Sequence, residues 1–174
     1  MLLAAMRQAA ESSMATHMLV QYPLLLLSGA LLVGKARGLQ RWNELGIAGL
    51  LFSALTMAVL MIPRVLDLAL VDPRVESAKL LALVLSGAAL GLSWARAGVV
   101  LQVFYLGNVL PMLAVVGTLY QDATVRVCNA YRLNDQQTLG TALVWASVGI
   151  LVVWLCGLWA AQRVAAVRRM FSAP

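Results

Sequence analysis

The only histidine of the chain, His17, lies among methionines at helical spacing. In a helix, Met14, His17 and Met18 share one face, because residues three and four apart are neighbours. Thioether and imidazole groups are ligands that suit Cu(I), and Met6 would add a further sulfur. The pattern predicts a weak Cu(I) site at these three residues. The alternative is ordinary packing, because the chain has eight methionines and methionine commonly fills gaps between side chains.

The sequence indicates little other reaction chemistry. A chain with one histidine cannot form a two-histidine metal site by itself, and no phosphate-binding glycine loop is present. We therefore expect no enzymatic activity. Arg64 and Asp67 lie about one helical turn apart and are predicted to form a structural ion pair at a membrane edge. Lys79 is predicted to be an interfacial anchor whose ammonium group extends out of the first turn of a helix.

The overall composition indicates which elements must position these residues. Of the 174 residues, 62% are hydrophobic and 11% are charged, whereas soluble domains are about a quarter charged. The chain is therefore predicted to be a single integral membrane domain, residues 1–174, with lipid as its surroundings. Its net charge of +6 comes from bases between and beyond the apolar segments, which indicates membrane topology rather than nucleic-acid binding.

Uncharged segments predict how often the chain crosses the membrane. A spanning helix needs about 20 mostly apolar residues, and the absence of strict alternation favours helices over barrel strands. We predict an all-α, polytopic membrane helix bundle of about five transmembrane helices. The candidate segments are residues 12–34, 45–63, 80–95, 97–121 and 136–162.

Local signals refine this prediction. Asn134 or Asp135 is a plausible N-cap for the fifth helix. Pro23 and Pro111 lie inside the first and fourth segments, and each predicts a kink because proline cannot donate a backbone hydrogen bond. Basic residues cluster, with few acidic residues among them, in residues 35–41 and in the C-terminal tail. Because basic loops favour the cytoplasmic side, we predict that the N-terminus is outside and the C-terminus is in the cytoplasm.

The fifth segment resembles the last helix of the CtaG-like cytochrome c oxidase assembly family. The family pattern of Asp-Gln-Gln, glycine and then an apolar helix with tryptophan is matched by Asp135, Gln136, Gln137, Gly140 and Trp145. The stretch before the first leucine run is similar to a motif of that family that contains histidine and methionine. His17, Met18 and Gln21 match this motif. The resemblance implies a helical membrane fold and association with a respiratory oxidase.

The chain departs from the family at its other histidines. Tyr22 stands where the family has a second histidine, and Glu76 and Lys79 stand in the region of its middle His-x-x-x-His helix. If those histidines handle copper in the family, this chain has lost much of that task.

The resemblance therefore implies a protein of the bacterial inner membrane that assists oxidase assembly, with copper as the expected metal. A permanent accessory subunit of a respiratory or other metalloenzyme complex is the alternative. A small transporter is a third and weaker alternative, because the segments offer few polar groups near the bilayer midplane.

Overall fold

The computed structural model describes residues 13–33, 43, 45–127 and 131–171. This part of the chain is all-α, as predicted. The first helix, α1, begins as a π-helix, Thr16–Gln21, and continues as an α-helix, Tyr22–Val33. The others are α2 (Ile47–Leu60), α3 (Pro63–Val71), α4 (Pro73–Trp94), α5 (Val99–Asp122) and α6 (Leu133–Phe171).

Four helices are long and apolar enough to cross a membrane: α1, α4, α5 and α6. The pair α2 and α3 passes the same test only when both are taken together, and it bends by 76° at its break. The 14 residues of α2 span about 21 Å, which is less than the hydrocarbon thickness of about 30 Å. The part of the chain that the structure describes is therefore a membrane helix bundle with four helices that could span, or five spans if the bent pair is one of them.

The α1–α4 pair fixes the course of the chain. A Cβ on Gly29 would contact the backbone of Val84, and a Cβ on Gly87 would overlap the backbone of Leu26. A side chain at either glycine would therefore force the helices apart. The contact runs from His17 beside Lys79 at one end to Ala30 beside Gly91, so α1 and α4 are parallel. Because parallel neighbours need a return connection, α2 and α3 carry the chain back between them.

Hydroxyl groups tie α2 to its neighbours midway along the bundle. Ser86 Oγ of α4 donates to Ser53 Oγ of α2 at 3.1 Å, and Ser53 Oγ lies 3.0 Å from the hydroxyl oxygen of Tyr105 in α5. These buried hydroxyl groups satisfy one another, which avoids the cost of leaving them unpaired in an apolar interior. They fix the register of three helices.

Helices α5 and α6 form an antiparallel pair. Their closest approach joins Gly117 to the backbone of Gly140. Farther along, the indole nitrogen of Trp154 donates to Gln102 Oε1 at 2.9 Å. The amide of Gln102 donates in turn to the carbonyls of Trp94 and Ala97, so one glutamine secures the short connection between α4 and α5 to α6.

Some predicted boundaries were wrong. The linker predicted between the second and third segments is mostly helical, because it contains α3 and the first turns of α4. Helix α6 begins at Leu133, so Asn134 and Asp135 lie in its first turn rather than at an N-cap. Met6, the further sulfur proposed for the Cu(I) site, lies outside the described residues.

Candidate functional site

His17 lies at the centre of a buried polar cluster at one end of the bundle. Its side chain has no solvent exposure. Its Nδ1 lies 2.9 Å from the hydroxyl oxygen of Tyr131, and its Nε2 lies 2.9 Å from Nζ of Lys79. An ammonium group can only donate, so with Lys79 charged Nε2 accepts, and the imidazole proton on Nδ1 is donated to Tyr131. Both ring nitrogens are thus engaged.

Lys79 projects into the bundle instead of towards the interface. Only 2% of its surface is exposed, so the prediction of an interfacial anchor was wrong. The reason is that α4 begins earlier than the uncharged segment does. Asp72 caps α4 by accepting from the backbone N–H of Arg74 at 2.8 Å, and Pro73 follows at the first helical position, where its missing N–H costs nothing. Lys79 therefore lies in the second turn of α4.

Glu76 supplies the acidic group of this cluster. It is buried and lies three residues before Lys79 on α4, so the two side chains share a face of the helix. Burial of a charged group in an apolar medium is costly unless it is paired and hydrogen-bonded. A buried carboxyl, ammonium and imidazole at one place is therefore a candidate functional site rather than an incidental surface feature.

The π-helical turn explains how His17 comes to face inwards. Proline at position 23 cannot donate to the carbonyl of Leu19, and its ring crowds that oxygen in a regular α-helix. The wider π turn over Thr16–Gln21 relieves this contact just before Pro23. Met14, His17 and Met18 are all buried, as their predicted common face requires.

The methionines around His17 belong to one hydrophobic cluster that the described helices share. Met57 of α2 and Met61, which directly follows that helix, join Met14 and Met18 in it. Aromatic rings complete the surroundings of the imidazole, with Tyr22 at 5.8 Å and Tyr131 at 6.3 Å between ring centroids, both edge-on. The imidazole thus lies between two tyrosine rings, beside a hydrophobic cluster that contains four methionines.

The Asp-Gln-Gln segment contributes one inward-facing residue. Gln136 is 1% exposed. Its Oε1 accepts from the backbone N–H of Val127 at 2.8 Å, and its Nε2 donates to the carbonyl of Tyr120 at 3.3 Å. Gln136 thereby fastens the end of α5 and the following loop to α6. Asp135 is half-buried and Gln137 is exposed.

The remaining predicted residues lie around this cluster. Gln21 is half-buried, and its buried Oε1 has no hydrogen-bond partner among the residues that the structure describes. On α3, Arg64 is exposed and Asp67 is half-buried. Their ion pair stays a prediction.

The copper prediction can be tested against this geometry. The soft ligands are close in sequence and buried in the same cluster, but His17 offers no free ring nitrogen in this conformation. The amino group of Lys79 lies 2.9 Å from one of its two nitrogen atoms. Met14, His17 and Met18 therefore do not fit a copper ion unless Lys79 or Tyr131 moves away, and copper binding stays a prediction.

Sequence reasoning missed three members of the cluster. Tyr131 was part of a loop, whereas Glu76 and Lys79 were assigned to a linker and to the membrane edge. One local signal could have corrected the last two. Asp72 followed by Pro73 is a typical helix start, and it places positions 76 and 79 on one helical face.

Comparisons with protein-family models, with curated proteins and with solved structures found no match to this chain.

Proposed function

We propose that this protein is a non-enzymatic membrane partner of a respiratory cytochrome oxidase and assists its assembly. One observation supports the proposal most directly. The two segments whose residues resemble the oxidase assembly family are far apart in the sequence, yet they meet at the same end of the bundle. His17 of the first segment lies 2.9 Å from Tyr131, which precedes by four residues the start of the Asp135–Gln137 segment.

Gln136 gives this meeting point a physical role. It bonds the carbonyl of Tyr120 near the end of α5 and the backbone N–H of Val127 in the connection that follows, and Tyr131 lies just before α6, beside His17. Gln136 therefore positions Tyr131, and Tyr131 in turn holds the imidazole. The proposal needs no catalysis by the chain, since the buried cluster would hold the shape of the bundle end that contacts the oxidase.

A comparison of two adjacent glutamines tests the proposal. Gln136→Ala removes the two bonds to backbone groups, whereas Gln137→Ala alters an exposed side chain and serves as the matched control. In bacteria that depend on this chain, we expect Gln136→Ala to lower the amount of assembled oxidase, measured by its haem spectrum, and Gln137→Ala to leave it unchanged. Immunoblots of the membrane fraction verify that both variants accumulate. Deletion of the whole chain with no loss of assembled oxidase would contradict the proposal.

The accessory-subunit alternative predicts a different stoichiometry. An assembly factor leaves the finished enzyme, whereas an accessory subunit stays with it. Purification of the oxidase in mild detergent, followed by quantification of this chain, separates the two. We expect the chain with immature complexes and in less than equimolar amount in the mature enzyme.

The proposed orientation places the His17 end outside the cytoplasm of a bacterial cell. Because α1 and α6 begin at this end and α6 leads away from it, the two ends of the described chain lie on opposite sides of the bundle. Reporter fusions after Arg126 and after Pro174 test the orientation. A cytoplasmic signal from the first fusion would contradict it.

A further inference from the structure

The contact between Lys79 and His17 occupies the place where a metal ion would bind. The lysine Nζ lies 2.9 Å from His17 Nε2. At this distance it interacts with the nitrogen lone pair that a metal would use. A lone pair that accepts a hydrogen bond from an ammonium group is not available to a second cation. Lysine and metal are therefore mutually exclusive at this atom.

We propose that Lys79 acts as an internal substitute for a soft metal cation at His17, so that its removal creates a Cu(I) site. The inference goes beyond the proposed function, because the choice of metal rests on the methionines near His17. It also explains why the copper prediction and the geometry disagree. The sequence supplies soft ligands at the right spacing, while the tertiary structure brings a cation to the only imidazole.

The surroundings of His17 determine which metal would enter. Met14 and Met18 lie on its own helix face, and Met57 and Met61 belong to the same buried cluster. Thioethers select Cu(I) over harder divalent ions. The enclosure by hydrophobic residues also favours a monovalent ion, because burying charge in an apolar interior becomes more costly as the charge increases.

Lys79→Leu is the direct test, since it removes the ammonium group and adds no ligand. The purified protein in detergent is titrated with Cu(I) under reducing conditions against a chromophoric Cu(I) chelator. We expect Lys79→Leu to bind Cu(I) about tenfold more tightly than wild type, or better, because a like charge next to the site is gone. Lys79→Met has nearly the same shape and offers one more thioether, so we expect a larger gain.

Two controls tie the gain to His17. The double variant His17→Ala/Lys79→Leu should lose the gain in Cu(I) affinity, because the imidazole is then absent. Arg74→Gln removes an exposed cation from the same helix and should leave Cu(I) affinity at the wild-type level. If Lys79→Leu does not accumulate in folded form, Lys79→Ala supplies the same comparison, because it also removes the ammonium group and adds no ligand.

The result that overturns the inference is equal Cu(I) affinity of wild type and both Lys79 variants, or a gain that survives His17→Ala. Because the experiment uses the isolated chain, its outcome is independent of whether the oxidase is the partner. Failure of the proposed function would instead be detected in the other experiment, which measures oxidase levels with the Gln136 and Gln137 variants.

Discussion

The two ends of the bundle are closed in different ways. At one end, His17, Glu76 and Lys79 bury ionisable groups. At the other, the buried polar groups are neutral: the amide of Asn43 donates to Ser93 Oγ at 2.6 Å, and Gly46 lies against the carbonyl of Ser93. The guanidinium of half-buried Arg96 also donates to the carbonyl of Asn43 at this end, at 3.3 Å.

The difference indicates where function lies. The Ser93 end is closed by close backbone contact and buried neutral hydrogen bonds, and its charged group, Arg96, stays partly exposed. Buried charges carry a desolvation cost that a hydrophobic replacement avoids. A structural role alone does not require them, so the His17 end is the candidate site. The four predictions below test this comparison, starting with the largest expected effect.

Adding a side chain should be most damaging at the Ser93 end. Gly46 has a φ of 75°, a left-handed conformation that disfavours a Cβ, and a Cβ there would lie 2.7 Å from the carbonyl oxygen of Ser93. We expect Gly46→Val to lower the free energy of unfolding by about 3 kcal/mol or more, combining backbone strain and overpacking. Thermal unfolding in detergent measures the loss.

Gly98→Ala is the matched control at the same end, because a Cβ at Gly98 would meet nothing within 4 Å. It should leave the unfolding temperature close to that of wild type. An equal loss in both variants would mean that close backbone contact does not hold this end together.

At the His17 end, removing only His17 from its contact with Lys79 should lower stability more than removing it when Lys79 is already replaced. His17→Ala removes an acceptor from the buried Lys79, and we expect a loss of about 2 kcal/mol. In a Lys79→Leu background the same change should cost clearly less. A double-mutant cycle by equilibrium unfolding should give a coupling energy of about 1–3 kcal/mol. Simple additivity of the two changes would show that the 2.9 Å contact contributes no stability.

Removing a polar group should matter less at the Ser93 end. Ser93→Ala deletes a neutral hydroxyl that accepts from Asn43 and donates to the carbonyl of Ala89. We expect a loss of about 1 kcal/mol, the typical net value of a neutral hydrogen bond. Ser77→Ala, at an exposed position of the same helix, is the control with a smaller effect. A loss at Ser93 as large as that for His17→Ala would remove the contrast between the two ends.

The smallest effect is expected at Arg64. Because its side chain is exposed, an ion pair with Asp67 would contribute about 0–1 kcal/mol. We expect Arg64→Asn to reduce stability by less than Ser93→Ala and to leave oxidase assembly unchanged. A specific loss of assembled oxidase, with normal accumulation of the variant, would show that Arg64 has a functional rather than structural role.

The sequence by itself determined the class of the fold. Uncharged runs separated by charged linkers predicted a membrane helix bundle, because backbone polar groups must be satisfied within helices in lipid. Helical spacing also predicted that Met14, His17 and Met18 share a face, and all three are buried together. These properties depend on hydrophobicity and local periodicity, which can be read along a single segment.

Counting uncharged residues predicted a wrong helix start where a helix contains charged residues that are buried in the bundle. Helix α4 starts at Pro73, seven residues before the predicted segment. The predicted start was too late because Glu76 and Lys79 were taken as signs of a linker. The Asp72–Pro73 start signal was present in the sequence. Weighing it above the charge count would have placed both ionisable residues on α4.

Only the tertiary structure decided what His17 contacts. The imidazole meets Lys79, 62 positions away, and Tyr131, 114 positions away. These contacts depend on the parallel packing of α1 with α4 at Gly29 and Gly87 and on the turn that Gln136 secures. Neither appears in the periodicity of one helix, since each arises from the fit between separate segments. The sequence thus supplied the ligands of a soft-metal site, and long-range packing brought a lysine to the histidine.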